Sequence, residues 1–267
     1  MPTDNIRDTA YIDRYYSGYN EDGRLLSPHG QVEFLTTMRY IKKYLEPGMR
    51  ILEIGAGTGR YSHALARMGY KVDAVELVQA NIDIFKDNTE RGEDISVRQG
   101  DALDLSGIDG ETYDIVLLLG PMYHLYNDED KLKALSEALR VTKTGGLLYI
   151  AYCISDASII GYGFQQGNIM GIIEKGLLDT RTFKTRSTPI EVFELCRKED
   201  IDGLMSRFNT ERLHYVATDL YTNYMRDCVD AMDGKTFELY LSYHYAICER
   251  PDMAGISHHS LDISRKC

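Results

Sequence analysis

The chain predicts an α/β protein: an open, mostly parallel sheet with helices on both faces, plus a helical or irregular cap. Three observations lead there. Between about residues 48 and 153, short apolar runs alternate with stretches of helical period. The first apolar run ends in a cluster of glycines. The two flanks lack this alternation.

Met49–Ile54 is short, rich in branched apolar residues and stopped by glycine, so it reads as a buried strand. Arg60–Met68 places Tyr61, Leu65 and Met68 at helical spacing and stops at Gly69. Lys71–Val75 is a second strand, and Gln79–Asn88 carries Ile82, Ile84 and Phe85 on one broad helical face. Ile95–Gln99 and Tyr113–Leu119 are the third and fourth strands. Asn127 or Asp128 caps a helix with Leu132, Leu135, Ala138 and Leu139 at spacings of three and four. Gly145-Gly146 leads into a fifth strand, Leu147–Cys153. Such alternation implies parallel strands joined by right-handed crossovers.

Residues 1–45 read as an N-terminal helical cap, 46–154 as the ligand-binding core and 155–210 as an inserted lid. Residues 211–267 read as the closing strands and helices of the sheet. Within the inserted segment, 155–188 is glycine-rich and irregular, and a helix is expected from Pro189 to about Glu199. Strands are expected near Leu213–Thr218 and Ser260–Ser264, with helices across Tyr221–Asp230 and Phe237–Cys248.

Composition narrows the partners. In 267 residues the formal net charge is −11, a poor match to a phosphate backbone, so nucleic acid is disfavoured. No apolar run approaches the roughly 20 residues that span a bilayer. Acids and tyrosines occupy the start, where a signal peptide would be basic and then apolar. Five widely spaced cysteines with no CxxC indicate neither a disulfide framework nor a zinc knuckle, so the cytoplasm is the expected home.

The most informative segment is Glu53-Ile54-Gly55-Ala56-Gly57-Thr58-Gly59. Glycines at a strand-to-helix turn let a ligand approach the backbone. A nicotinamide fingerprint would put its third small residue at position 60, where this chain has Arg60. The carboxylate of Glu53 suits an ammonium better than a pyrophosphate. Glu76 ends the second strand, 21 residues after Gly55, where a ribose-binding acid is expected. Asp101-Ala102 follows the third strand, where an acid can accept from an adenine amino group; Gly100-Asp101 also reads as a plain turn.

As a set these residues resemble the class I S-adenosylmethionine-dependent methyltransferases, a Rossmann-like family. ILEIGAGTG resembles the family's first motif, Glu76 its second and GDA its adenine-side motif. YDIVLLLGPMYHL and LRVTKTGGLLYIAY resemble its fourth strand and the run into its fifth. The resemblance covers about residues 48–153 and is diffuse outside them. It implies seven strands, the last antiparallel, and S-adenosylmethionine as cofactor with S-adenosylhomocysteine as product. It implies Glu53, Gly55 and Gly57 at the methionine part, Glu76 at the ribose, Asp101 and Ala102 at the adenine, and Ala56, Gly59 and Leu77 among the cofactor-binding residues. Leu119, at the end of the fourth strand, joins this set.

Ligands of open α/β sheets sit beyond the carboxyl ends of the strands, which puts Tyr123 and His124 beside the methyl acceptor. The turn is GPMYH, without the acid or Asn followed by two prolines of the base-methylating members, so DNA-base methylation is disfavoured. A neutral imidazole at His124 is a candidate base; the alternative is that it only walls the pocket. Tyr15, Tyr16 and Tyr19 are candidates to close over the site, with Arg24 pairing an acidic acceptor; the alternative is that these tyrosines pack the N-terminal helix. His258 and His259, adjacent on a strand, point to opposite faces, so no metal is expected. There is no GxSxG elbow.

The expected function is transfer of a methyl group to a small-molecule acceptor through O, N, S or C. A nicotinamide-dependent (NAD) oxidoreductase and a non-catalytic S-adenosylmethionine-binding regulator are the alternatives, and a protein or tRNA acceptor stays open.

Overall fold

The structure is a computed structural model that describes residues 9–18 and 26–267. Tyr19 and Arg24 lie outside these residues. Eight strands form one sheet: β1 Arg50–Ile54, β2 Lys71–Glu76, β3 Ile95–Gln99, β4 Tyr113–Leu118, β5 Thr142–Ile154, β6 Leu195–Cys196, β7 Thr210–Ala217 and β8 His259–Lys266. Seven lie in the order β3-β2-β1-β4-β5-β8-β7, and the two-residue β6 pairs with the end of β5. β1 to β5 pair parallel with one another, and β8 runs antiparallel to both β5 and β7. Seven strands with an antiparallel last strand are therefore present, with β6 as an addition.

Helices cover both faces. They include α1 Ala10–Gly18, α2 Pro28–Tyr44, α3 Arg60–Arg67, α4 Gln79–Asp87 and α5 Asp128–Val141. After β5 come α6 Ser155–Ser158, α7 Ile169–Glu174, α8 Lys198–Met205, α9 Arg226–Asp230 and α10 Gly234–Ile247. Side chains alternate between faces along a strand. Leu52, Ile54, Val116 and Leu118 face a layer containing Ala134, Leu135 and Ala138 of α5 and Ile201 of α8. Ile51, Ile115, Leu117 and Tyr149 face the layer of α2, α3 and α10. Burying both faces explains why these strands read as continuous apolar runs. Fully burying each such Ile or Leu stabilises by roughly 1.5–3 kcal/mol.

The flanks depart most from expectation. The segment 155–188 is not irregular throughout: it holds α6, a π-helical turn at Ile159–Gln165 and α7. The expected helix from Pro189 to Glu199 does not form. A 3-10 turn at Pro189–Glu191 ends where Val192 takes φ +70°, and two residues of β6 follow. α8 starts only at Lys198, where Asp200 accepts from the Arg197 backbone N–H. β5 begins at Thr142, earlier than the apolar run, because Thr142 pairs with Tyr113 across an irregularity in the ladder.

Candidate active site

The turn between β1 and α3 needs its glycines for two reasons. Gly55, Gly57 and Gly59 all have positive φ, where a Cβ is strained. A Cβ on Gly55 would also stand 2.6 Å from the Pro121 ring, and one on Gly59 2.4 Å from the Phe85 ring. The first glycine thus lets the β1 turn press against the turn after β4. The last lets α3 and α4 meet.

Two buried carboxylates flank this turn. Glu53 is 2% exposed and accepts from the Ser62 backbone N–H at 3.0 Å and from its hydroxyl. Burial pushes its carboxyl up to about 8, the Ser62 hydrogen bonds oppose this, and the nearby Glu76 adds to it. Glu76 accepts from the Gly57 N–H at 2.8 Å, the Val78 N–H at 2.9 Å and the Asn81 amide at 3.2 Å. Burial raises its carboxyl, against the pull of those donors. Asn81 gave no signal in the sequence beyond its place in the first turn of α4. Asp101 accepts from the Leu103 N–H at 3.0 Å, so the turn reading of Gly100-Asp101 holds for that oxygen.

These groups line one open cleft. Of the sequence-predicted cofactor residues, Glu53, Gly55, Ala56, Gly57, Glu76, Leu77, Asp101, Ala102 and Leu119 line it. Gly59 does not; its role is in the packing of Phe85. The carboxylates of Glu53 and Glu76 beside the turn suit a cationic ligand with hydroxyl groups. Ile12 and Tyr16 of α1 close one side, and Tyr123 and His124 line the side beyond β4.

His124 is fixed at both ring nitrogens. Nδ1 lies 2.9 Å from the Val192 carbonyl, which only accepts, so Nδ1 carries the proton. Nε2 of the neutral ring then accepts from the Tyr16 hydroxyl at 3.0 Å. The Tyr11 hydroxyl donates to the His124 carbonyl, and Phe193 packs on the imidazole at 5.6 Å. Tyr15 stands edge-on to both Tyr16 and Phe193. The sequence-predicted Tyr15, Tyr16, Tyr123 and His124 therefore meet; Tyr19 and Arg24 lie outside the described residues.

Behind this aromatic group opens a second chamber, which shares Tyr16 and Tyr123 with the first cleft. Sequence reasoning missed it. Its floor is Asp219, 1% exposed, just past β7. Asp219 accepts from the Ser257 hydroxyl, the His258 N–H, the Asn223 amide and His259 Nδ1 at 2.8 Å. Burial alone would raise its carboxyl, but His259 and the other donors hold it at about 2. Burial opposes charge on His259, yet Glu33, Cys153 and Asp219 hold the imidazole protonated well above its usual range. Donor atoms of Glu33, Asp219 and His259 lie within 4.8 Å of one another, a geometry that also suits a divalent cation. His258 is driven towards its neutral form by burial and packs on Tyr224 at 4.9 Å.

Residues 51–146 match the family model described as Methyltransferase domain. A ubiquinone biosynthesis O-methyltransferase of Methylocella silvestris is 33% identical over 161 residues, 60% of this chain and 61% of that protein. A demethylmenaquinone methyltransferase of Renibacterium salmoninarum is 37% identical over 105 residues, 39% of this chain and 41% of that protein. The chain thus spans about three-fifths, or less, of the length of these curated relatives. A solved S-adenosylmethionine-dependent methyltransferase from Thermotoga maritima shares the fold, with a TM-score of 0.58 at 18% identity. That match covers 97% of this chain and all of the other.

Proposed function

We propose that this chain, whose residues 51–146 belong to the class I S-adenosylmethionine-dependent methyltransferase family, methylates a small-molecule acceptor. The observation that carries the reading is the junction of two cavities at Tyr16 and Tyr123, directly in front of the glycine turn.

The first cleft fits the cofactor. Glu53, Gly55 and Gly57 line the part of the cleft that would hold its amino-acid part, with Glu53 as the partner for the ammonium. Glu76 is the acceptor for ribose hydroxyls, and Asp101 with Ala102 flanks the adenine. When bound there, S-adenosylmethionine supplies an electrophilic methyl on a sulfonium. The protein's work is then alignment and exclusion of water, which can contribute up to roughly 7–11 kcal/mol in favourable cases. Tyr16 and Tyr123 wall the path between the cavities and hold the acceptor in line. His124 takes a proton at Nε2, passed through the Tyr16 hydroxyl that it already accepts from. α1 and residues 155–210 form the cap that admits the acceptor and shuts out water. The net charge of −11 favours a small molecule over RNA. Five free cysteines support a cytoplasmic setting.

Calorimetric titration with S-adenosylmethionine, S-adenosylhomocysteine and NAD tests the reading, followed by a labelled-methyl screen against metabolite pools. Binding of both sulfur nucleosides and label in a small molecule are expected. Heat from NAD alone would transfer the case to an oxidoreductase. Binding without transfer to any pool component would leave a regulator.

A further inference from the structure

We propose that Glu33, Asp219 and His259 form a site for one first-row divalent cation, Mn2+ or Zn2+, with its open positions facing the second chamber. Glu33 comes from α2, Asp219 from the segment after β7 and His259 from the start of β8, and all three line that chamber. His259 Nδ1 lies 2.8 Å from Asp219 Oδ2 and 3.5 Å from Glu33 Oε2. One donor atom from each residue falls within 4.8 Å of the others. Donors about 2.1 Å from a common metal stand about 3.0 Å apart at right angles and about 3.4 Å apart at a tetrahedral angle. The two spacings bracket these values, so a small shift brings all three donors onto one ion. The expectation of no metal rested on His258 and His259 sharing an ion as a pair. This site takes only His259 and finds its other ligands on distant elements, so no sequence motif announces it.

Two carboxylates and a neutral imidazole balance a divalent charge. The proton on His259 Nδ1 joins the ring to Asp219; the cation takes its place and that proton leaves. The chamber's other basic groups are engaged elsewhere: His29 with Asp230 at 2.8 Å, and Arg226 Nε with Asn223 at 2.9 Å. Asp219 is held from behind by the Ser257 hydroxyl at 2.6 Å, the His258 N–H at 2.8 Å and the Asn223 amide at 2.6 Å. Such partners fix the orientation of a ligating carboxylate. A second observation is independent of the carboxylates. Nδ1 of His258, which lines the same chamber, is buried with no hydrogen-bond partner among the described residues. An orphaned buried nitrogen calls for a partner, and a water or oxygen ligand on the cation can supply it. The nitrogen donor favours Mn2+ or Zn2+ over Mg2+, which seeks oxygens in a near-ideal octahedron. Three protein donors leave a position open, the pattern of a site that holds a ligand rather than of a closed structural brace. That this ligand is an oxygen of the acceptor rests on the methyltransferase reading; the cation site itself does not.

The test titrates the full chain, stripped with EDTA, with MnCl2, ZnCl2 and MgCl2 in separate calorimetric runs. One equivalent of Mn2+ and of Zn2+ is expected, with Mg2+ weaker by about tenfold or more. Glu33→Gln, which keeps the side chain's shape, should weaken Mn2+ binding by about 10- to 100-fold, and His259→Asn likewise. His29→Gln, in the chamber wall but outside the three ligands, should leave the affinity within about twofold. Water-proton relaxation by the bound Mn2+ should reveal at least one exchanging water. No saturable binding of Mn2+ or Zn2+, or an affinity unchanged in Glu33→Gln, overturns the site. Bound Mn2+ without an exchanging water overturns its open face. Glu33→Gln decides the matter even if His259→Asn fails to fold. Neither cofactor nor methyl transfer enters the readout, so failure of the methyltransferase reading leaves this result intact.

Discussion

The glycine cleft and the second chamber touch at Tyr16 and Tyr123, yet the chain builds them in opposite ways. The cleft draws nearly all of its polar groups from residues 53–124, a single β-α-β-α-β run and the turn after β4. Its anchors are local: Glu76 reaches back 19 residues to Gly57 and forward two to Val78. The chamber gathers residues from 15 to 259, and its central contact, His259 to Asp219, spans 40 residues of intervening helix and loop. The cleft's carboxylates are pushed towards neutrality by burial, whereas the chamber's Asp219 is held ionised by a protonated histidine.

The largest expected effect falls on the backbone where the glycine turn enters α3. Gly59→Ala puts a Cβ against the Phe85 ring at φ +87° and should destabilise by about 3 kcal/mol, from overpacking and left-handed strain together. Gly171 of α7 has open space around its Cβ position, and Gly171→Ala should leave stability unchanged or slightly higher. Urea midpoints compare the two; equal losses would break the contrast between a built turn and a tolerant cap.

Next is Glu76→Gln, which removes a charged acceptor. Calorimetry should show S-adenosylmethionine binding weakened by roughly 1.5–3 kcal/mol, at least tenfold. Unchanged affinity would sink the ribose assignment.

A pH effect of intermediate size separates the two acids. Glu53 has its folded pKa raised to about 8 from an ordinary 4.5, so it is protonated in the folded state where the unfolded chain has lost its proton. Its contribution is fully present below about 4.5 and is lost as pH rises through about 8. Stability should therefore fall between pH 5 and 8.5, and Glu53→Gln should flatten that fall. A variant with the wild-type pH slope would assign the loss elsewhere.

The smallest expected change is at the junction. His124→Asn should lower kcat about tenfold and remove the acidic limb of the pH–rate profile, while cofactor affinity stays within twofold. Full rate across the profile would leave His124 as a pocket wall.

Much of this was legible because the core's signals are short-range. Glu53, the three glycines and Glu76 announce themselves by spacing, and the strands β1, β2 and β4 by burial on both faces. Asn127 was readable as a cap, and its side chain does accept from the Asp130 N–H. The cap was read less well. Pro189 suggested a helix start, but Val192 turned the chain into φ +70° to bring its carbonyl to His124 Nδ1. The rule that strand neighbours face apart does not describe His258 and His259, because β8 begins only at His259, and it is silent about the partners each finds on other elements.

By itself, then, the order of residues determined the parallel half of the sheet, the strained turn and the two acids beside it. Each depends on contacts between chain neighbours or consecutive elements. Only the tertiary structure decided that Val192 locks the tautomer of His124, that β8 inserts antiparallel between β5 and β7, and that Cys153 pairs across the ladder with His259. Those pairings join residues up to 118 positions apart. Nothing in local propensity or period encodes them, because they exist only once the buried faces have packed and fixed the strand register.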